Sequence, residues 1–230
     1  QTAAFADKHA GTGKLVNVTG IALTGNDAGN YDLQNTTATT TANIDKKALT
    51  ASYTATNRTY DGTTSIAVTG ASTDIISGDT VNFSETAALA SKAAGNGRTV
   101  NVSNIVLSGT DGGNYALTAT TTTTTADIAK KSLTASYTAA NKTYDGLTTA
   151  TVTGVSTDVV AGDAVTFGQT ANFANKNAGS GKSVSITGIT LGGADGANYE
   201  LTATTAGAIA DIAKKAITVA YAGTNKTYDG

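Results

Sequence analysis

The chain has 230 residues with no Cys, Met, Pro or Trp, 26 Gly, 14% charged and 40% hydrophobic residues, and a formal net charge of −2. That balance is globular but sparsely charged: it gives no basic field for a nucleic-acid backbone or an acidic membrane surface, and no thiol for disulfide, thiolate-metal or nucleophilic chemistry. No apolar run approaches the roughly 20 residues that cross a bilayer, so the expected partners include neither nucleic acid nor a membrane entered by this segment, and no cofactor is expected.

A fixed period organises the chain. NRTYDG at residues 57–62 returns as NKTYDG at 141–146 and again at 225–230, an offset of 84 at both steps. The same offset links Tyr31, Tyr115 and Tyr199, and the lysine pairs that start at 46, 130 and 214. Solenoid and propeller repeats run to roughly 20–50 residues, so a unit of this length is expected to be a small domain with its own core. The expected division is 1–47 as the C-terminal part of one repeat, 48–131 and 132–215 as complete repeats, and 216–230 as the N-terminal part of the next. The chain reads as a slice of a longer polypeptide.

Within the copy at 48–131, Val, Ile, Thr and Tyr runs are broken by Gly, Asn and Asp, which predicts strands near 49–54, 64–69, 80–87, 99–108, 114–118 and 121–128. Short strands in such number predict an all-β fold, a tandem array of small antiparallel β-sandwiches of immunoglobulin-like type. A parallel β-helix of four coils per period is the arithmetical alternative. Alternation slips once: Val16 and Val18 point one way and Ile21 and Leu23 resume out of phase, which predicts a bulge at Gly20 and at its counterparts Asn104 and Gly188. Alternation continues through the double-lysine junctions without Pro or a Gly/Ser tract, so short, stiff joints and a rod are expected.

Two motifs recur. In Tyr60-Asp61-Gly62 and Tyr144-Asp145-Gly146, the Asp-Gly pair suits a tight turn in which Gly is left-handed and Asp bonds the local backbone, while Tyr covers the core edge and its hydroxyl reaches a backbone partner. The second motif sets Asp four residues before Tyr, with Leu two after: Asp27 and Tyr31, Asp111 and Tyr115, Asp195 and Tyr199. It resembles the tyrosine-corner run of immunoglobulin domains, with Leu in the disulfide cysteine's place.

Site chemistry is thin. The acids Asp61, Asp74, Asp79 and Asp111 and their counterparts stand singly beside Gly or Ser, unlike a calcium loop, and read as turn residues. His9 is the only histidine and its counterparts are Ala93 and Asn177, so neither a histidine triad nor a zinc site recurs. Glu85 maps to Gln169, so paired carboxylates do not recur either. No metal site and no enzyme activity are expected. The threonine run at 120–125 reads as strand propensity on a solvated face.

NKTYDG, Gly162-Asp163, the stretch from Phe5 to Lys14, the Asp-Asn-Tyr-Leu run and Ala210-Asp211-Ile212 followed by two lysines together resemble the YDG-type repeat domain, over essentially the whole chain. The resemblance implies a stalk or spacer segment of a large bacterial surface or secreted adhesin or biofilm-matrix protein. Such proteins include filamentous-haemagglutinin-like adhesins, exported by two-partner secretion across a Gram-negative outer membrane. Its implied partners are neighbouring repeats and extracellular polysaccharide or another cell surface. The alternative function is multivalent, weak binding of carbohydrate or matrix polymer.

Overall fold

The computed structural model describes residues 1–230. Strands form about half the chain, no α-helix forms, and three single 3-10 turns stand at Ala28–Asn30, Gly112–Asn114 and Gly196–Asn198. No helix is long and apolar enough to cross a membrane. β-Branched residues dominate the strand segments, where their restricted χ1 fits the pleat better than a helical turn.

The first partial copy gives β1 (Thr2–Phe5), β2 (Gly11–Thr19) and β3 (Thr37–Ile44), an antiparallel sheet in that order. The next copy gives β4 (Lys47–Leu49), β5 (Ser52–Ala55), β6 (Arg58–Thr59), β7 (Val68–Ala71), β8 (Asn82–Leu89), β9 (Gly95–Ser108), β10 (Tyr115–Leu117) and β11 (Thr122–Ala129). The third repeats these eight at the same offset: β12 (Lys131–Leu133), β13 (Ser136–Ala139), β14 (Lys142–Thr143), β15 (Val152–Val155), β16 (Thr166–Phe173), β17 (Gly179–Gly192), β18 (Tyr199–Leu201) and β19 (Ala206–Ala213). Each complete copy builds a four-stranded sheet, β6-β11-β9-β8 or β14-β19-β17-β16, and two ribbons, β4 with β10 and β5 with β7 or their counterparts.

Pairing departs from the all-antiparallel expectation. β4 lies parallel to β10, β12 to β18 and β14 to β19, each joined by chain that crosses over, while the long ladders β8–β9, β16–β17 and β17–β19 are antiparallel. Long antiparallel ladders are also what a parallel β-helix lacks, so that alternative is set aside. The predicted strand at 49–54 is split into β4 and β5. Its backbone leaves the ladder where the Asp74 carboxylate accepts the Thr50 N–H at 2.8 Å, and Asp158 does the same to Thr134 at 2.8 Å. A side chain that offers the backbone a local acceptor competes with the sheet.

Two of the three expected bulges sit where the alternation slips, at Asn104 and Gly188, whereas Gly20 follows the last paired residue of β2, Thr19, and no ladder spans it. Ser84 pairs with Val106 and Thr86 with Ser103, so Asn104 and Ile105 stand opposite Glu85 alone; Gly188 and Ile189 stand likewise opposite Gln169. Asn104 has φ 54° and is the one non-glycine residue with positive φ, while Gly20 and Gly188 have 64° and 63°. The extra residue turns Ile105 and Ile189 inward, each 3% exposed.

In the third copy Phe173, Val184, Ile186, Ile189 and Ile212 form the core, with Ala171 and Ala210 between them. Leu89, Val100, Val102, Ile105 and Ile128 take the same positions in the second copy and are equally buried. Each such side chain contributes about 1.5–3 kcal/mol by leaving water. Tyr137 on β13 lies over Gly154 of β15, where a methyl group would come within 2.6 Å of the ring.

Two compact units divide the chain, and they do not follow the sequence copies. Unit 1 contains residues 1–58, 63–92 and 96–128; unit 2 contains 59–62, 93–95 and 129–230. The Tyr60-Asp61-Gly62 segment therefore belongs to unit 2, although its sequence copy starts at residue 48.

Candidate functional site

Asp163 is the centre of a hydrogen-bonded node in unit 2. Its Oδ2 accepts the Tyr199 hydroxyl at 2.6 Å and the Tyr60 hydroxyl at 2.7 Å, and the Tyr199 oxygen in turn accepts the Val160 N–H at 2.9 Å. The two rings meet edge to face, with centroids 5.5 Å apart and planes at 73°. Both tyrosines are 2% exposed. Charge-assisted bonds of this kind are about twice as strong as neutral ones. The Tyr60 hydroxyl thus reaches a carboxylate 103 residues along the chain and not the local backbone partner expected from sequence.

In unit 1 the same position is held by Asp79. Its Oδ2 accepts the Tyr115 hydroxyl at 2.7 Å, and the Tyr115 oxygen accepts the Ile76 N–H at 2.9 Å. Lys8 places its ammonium 2.8 Å from Asp79 Oδ1 and 2.9 Å from Asp111 Oδ1. Asp79 and Asp111, read in the sequence as isolated turn acids, therefore converge on one lysine. The Asp79 N–H does close a turn on the Ile76 carbonyl, so the turn reading accounts for its backbone and misses its carboxylate. No group of three or more His, Cys, Asp or Glu side chains forms a metal-binding arrangement.

The other motif residues stand as follows. Asp111 Oδ2 accepts the Thr80 N–H at 2.9 Å and Asp195 Oδ2 that of Ala164 at 3.0 Å, which ties each 3-10 turn to the loop after Asp79 or Asp163. Neighbouring Asn114 and Asn198 accept the N–H groups of Ala10 and Ala94 at 2.9 and 3.0 Å. Asp145 accepts the Leu147 N–H at 2.9 Å, with Gly146 at φ 82° and Gly62 at 80°, a left-handed glycine turn closed by aspartate. Asp61 is exposed, and Tyr144 is half-buried against the core of the third copy. Asp27 and Tyr31 are exposed, Tyr31 by 74%; no segment of this chain corresponds to Ile76–Asp79 for them. The tyrosine-corner likeness holds for the Asp-to-Tyr spacing, but these hydroxyls bond to backbone 39 residues upstream instead of a few.

Sequence reasoning passed over the carboxylates of Asp79 and Asp163 and the amine of Lys8. Their signal was present: Asp79 and Asp163 keep a fixed distance from Tyr115 and Tyr199, and Lys8 recurs as Lys92 and Lys176.

Protonation follows from this wiring. Burial, then the bond to Asp163, pushes Tyr199 up to about 12, and burial with the nearby Glu85 charge does the same to Tyr53. Lys8 holds Asp79 below the usual carboxylate range, helped by Tyr115; the Thr80 N–H and then Lys8 do so for Asp111, and both acids raise Lys8. A raised tyrosine value stabilises the fold fully below 10.0, the unperturbed value, and is lost as pH climbs towards about 12. A lowered aspartate value works in the opposite sense: its contribution is present above 3.8 and fades as pH falls below it. Thermal melts followed by circular dichroism are expected to hold steady from neutrality to pH 10, then fall steeply towards 12. A flat profile to pH 12 would show that neither phenol senses folding.

A YDG domain model matches residues 1–41, 45–124 and 129–206. The chain belongs to the YDG domain family. The three matched segments are successive YDG repeats, and their boundaries fall near the double-lysine junctions. No curated protein and no solved structure matches the chain. In YDG terms, the tyrosine of the motif in one repeat is the residue that seats against the aspartate–tyrosine pair of the next repeat's sequence, as Tyr60 does on Asp163 and Tyr199.

Proposed function

We propose that this run of YDG repeats is a structural spacer of a large bacterial cell-surface or secreted adhesin, exported by two-partner secretion and holding a distal adhesive region away from the cell. Each repeat is read as a small immunoglobulin-like sandwich. The observation that carries the proposal is the burial of Tyr60: the motif residue most suggestive of a binding platform is 2% exposed and is spent on Asp163 and Tyr199. Repetition of this kind adds length without adding chemistry, and the sparse charge and the lack of a recurring nucleophile agree with it. A motif tyrosine lent by one copy to the fold of the next also favours orderly tandem growth over independent beads.

The test varies repeat number. Chains of one, two and three YDG repeats are expected to bind no glycan on an array, while adhesion by the parent protein changes with the number of repeats retained between anchor and tip. Saturable glycan binding that strengthens with each added repeat would overturn the spacer reading in favour of avidity.

A further inference from the structure

We propose that the entry and exit strands of each repeat form a shear clamp, which makes the repeat load-bearing when the chain is pulled along its length. In unit 2 the chain enters through β12, which lies parallel to β18, and leaves through β19, which lies parallel to β14. Tension drags β12 and β14 towards their N-termini and β18 and β19 towards their C-termini. In a parallel pair those two pulls oppose each other along the ladder, so the strands must slide and the evenly spaced bonds are loaded together. Antiparallel entry and exit strands would be pulled apart from one end and open a residue at a time.

Both ladders are short, and bonds just beyond them lengthen the clamp. Lys131, Ser132 and Leu133 pair with Tyr199, Glu200 and Leu201. Past them the Thr202 N–H donates to the Leu133 carbonyl at 3.0 Å, and the Thr134 and Thr202 hydroxyls bond at 3.1 Å. Lys142 and Thr143 pair with Ile212 and Ala213. That ladder is closed at one end by the Asp211 N–H on Asn141 Oδ1 at 2.7 Å and at the other by the Tyr144 N–H on the Ala213 carbonyl at 2.9 Å. Leu133 and Ile212 are buried, so the core face of each ladder is shut to water.

Unit 1 carries the same bonds 84 residues earlier. β4 is parallel to β10, the Thr118 N–H donates to the Leu49 carbonyl at 3.0 Å, and the Asp127 N–H donates to Asn57 Oδ1 at 2.8 Å. The clamp thus gives a role to the asparagine that opens each Tyr-Asp-Gly motif and to the Asp-Ile-Ala run near the end of each repeat, neither of which bonds to the node around Asp163. Its use in the parent protein rests on the spacer reading; its geometry does not.

The chain has no Cys, so a pair of pulling handles can be placed anywhere on the full chain. Single-molecule pulling at constant force uses Gln1→Cys with Gly230→Cys for end-to-end tension. The comparison is Ala161→Cys with Ala194→Cys, exposed positions beyond the open end of the β16–β17 ladder, where Thr166 faces Gly192. End-to-end extension is expected in cooperative steps that need several-fold more force than opening from 161 and 194. Asn141→Ala should shorten the end-to-end lifetime of one step about five-fold, the effect of losing one hydrogen bond, and Asn57→Ala that of another. Asn141→Ala should leave the lifetime under tension at 161 and 194 unchanged. The proposal is overturned if end-to-end tension opens the chain as easily as tension at 161 and 194, or if neither asparagine variant changes the end-to-end lifetime. It is also overturned if Asn141→Ala shortens the lifetime equally in both directions, which is plain destabilisation. No glycan, cell or adhesive tip enters the measurement, so its failure would leave the spacer reading standing, and glycan binding by the repeats would leave the clamp standing.

Discussion

Replacing Tyr60 with Ala is expected to destabilise unit 2 by about 3–5 kcal/mol, the range for losing a buried aromatic ring. The side chain is 2% exposed and supplies both an edge-to-face contact with Tyr199 and a hydroxyl to Asp163. Tyr60→Phe keeps the ring and removes only the charge-assisted bond, so about 1.5–3 kcal/mol is expected. Because the chain holds two compact units, one global unfolding energy is poorly defined. Native-state amide exchange resolves them: protection in β17 should fall about 100-fold or more in Tyr60→Ala, since each 1.4 kcal/mol is a factor of ten, while β9 keeps its own. Tyr228→Ala is the control, because Tyr228 is 93% exposed and its loss should leave both strands unchanged. Equal exchange in wild type and Tyr60→Ala would mean that the Tyr-Asp-Gly segment is an ornament on unit 2 and not a part of it.

What the sequence made legible is what short-range physics governs. The bulges at Asn104 and Gly188 could be placed because a period of two cannot slip without an extra residue, and the residue that slips must accept positive φ, as both do. The turn at Asp145-Gly146 was legible for the same local reason. The strands between about 80 and 129 were readable because their alternation is strong, and β8, β9, β10 and β11 lie close to the predicted spans. The parallel partners were not readable. β4 and β14 are only three and two residues long, and their neighbours come from the far end of the copy, so no pattern within either strand encodes the pairing. Asp79 and Asp163 were misjudged for a related reason. An aspartate next to glycine looks the same whether its carboxylate bonds the local turn or a phenol from far along the chain, and only the three-dimensional return of Tyr115 or Tyr199 separates the two cases.

Asp163→Ala is expected to cost more than any single hydroxyl deletion. Two buried phenols, Tyr60 and Tyr199, lose the oxygen that both use, and each donor left without an acceptor costs about 1–3 kcal/mol. The informative measurement is the double-mutant cycle with Tyr60→Phe. In the wild-type background that change removes a bond to a carboxylate; with Asp163→Ala already present the hydroxyl has lost its acceptor, so removing it should cost little or even restore stability. The coupling is expected at about 0.5–3 kcal/mol, the range for residues in one hydrogen-bond network. Additive effects would show that Asp163 and Tyr60 are neighbours without being partners. The same cycle with Tyr199→Phe distinguishes a shared acceptor from two independent ones. If both tyrosines couple to Asp163 and also to each other, the aspartate holds a tyrosine of its own repeat and one of the preceding repeat in a single cooperative contact. That is the physical condition under which each repeat also completes the fold of the one after it.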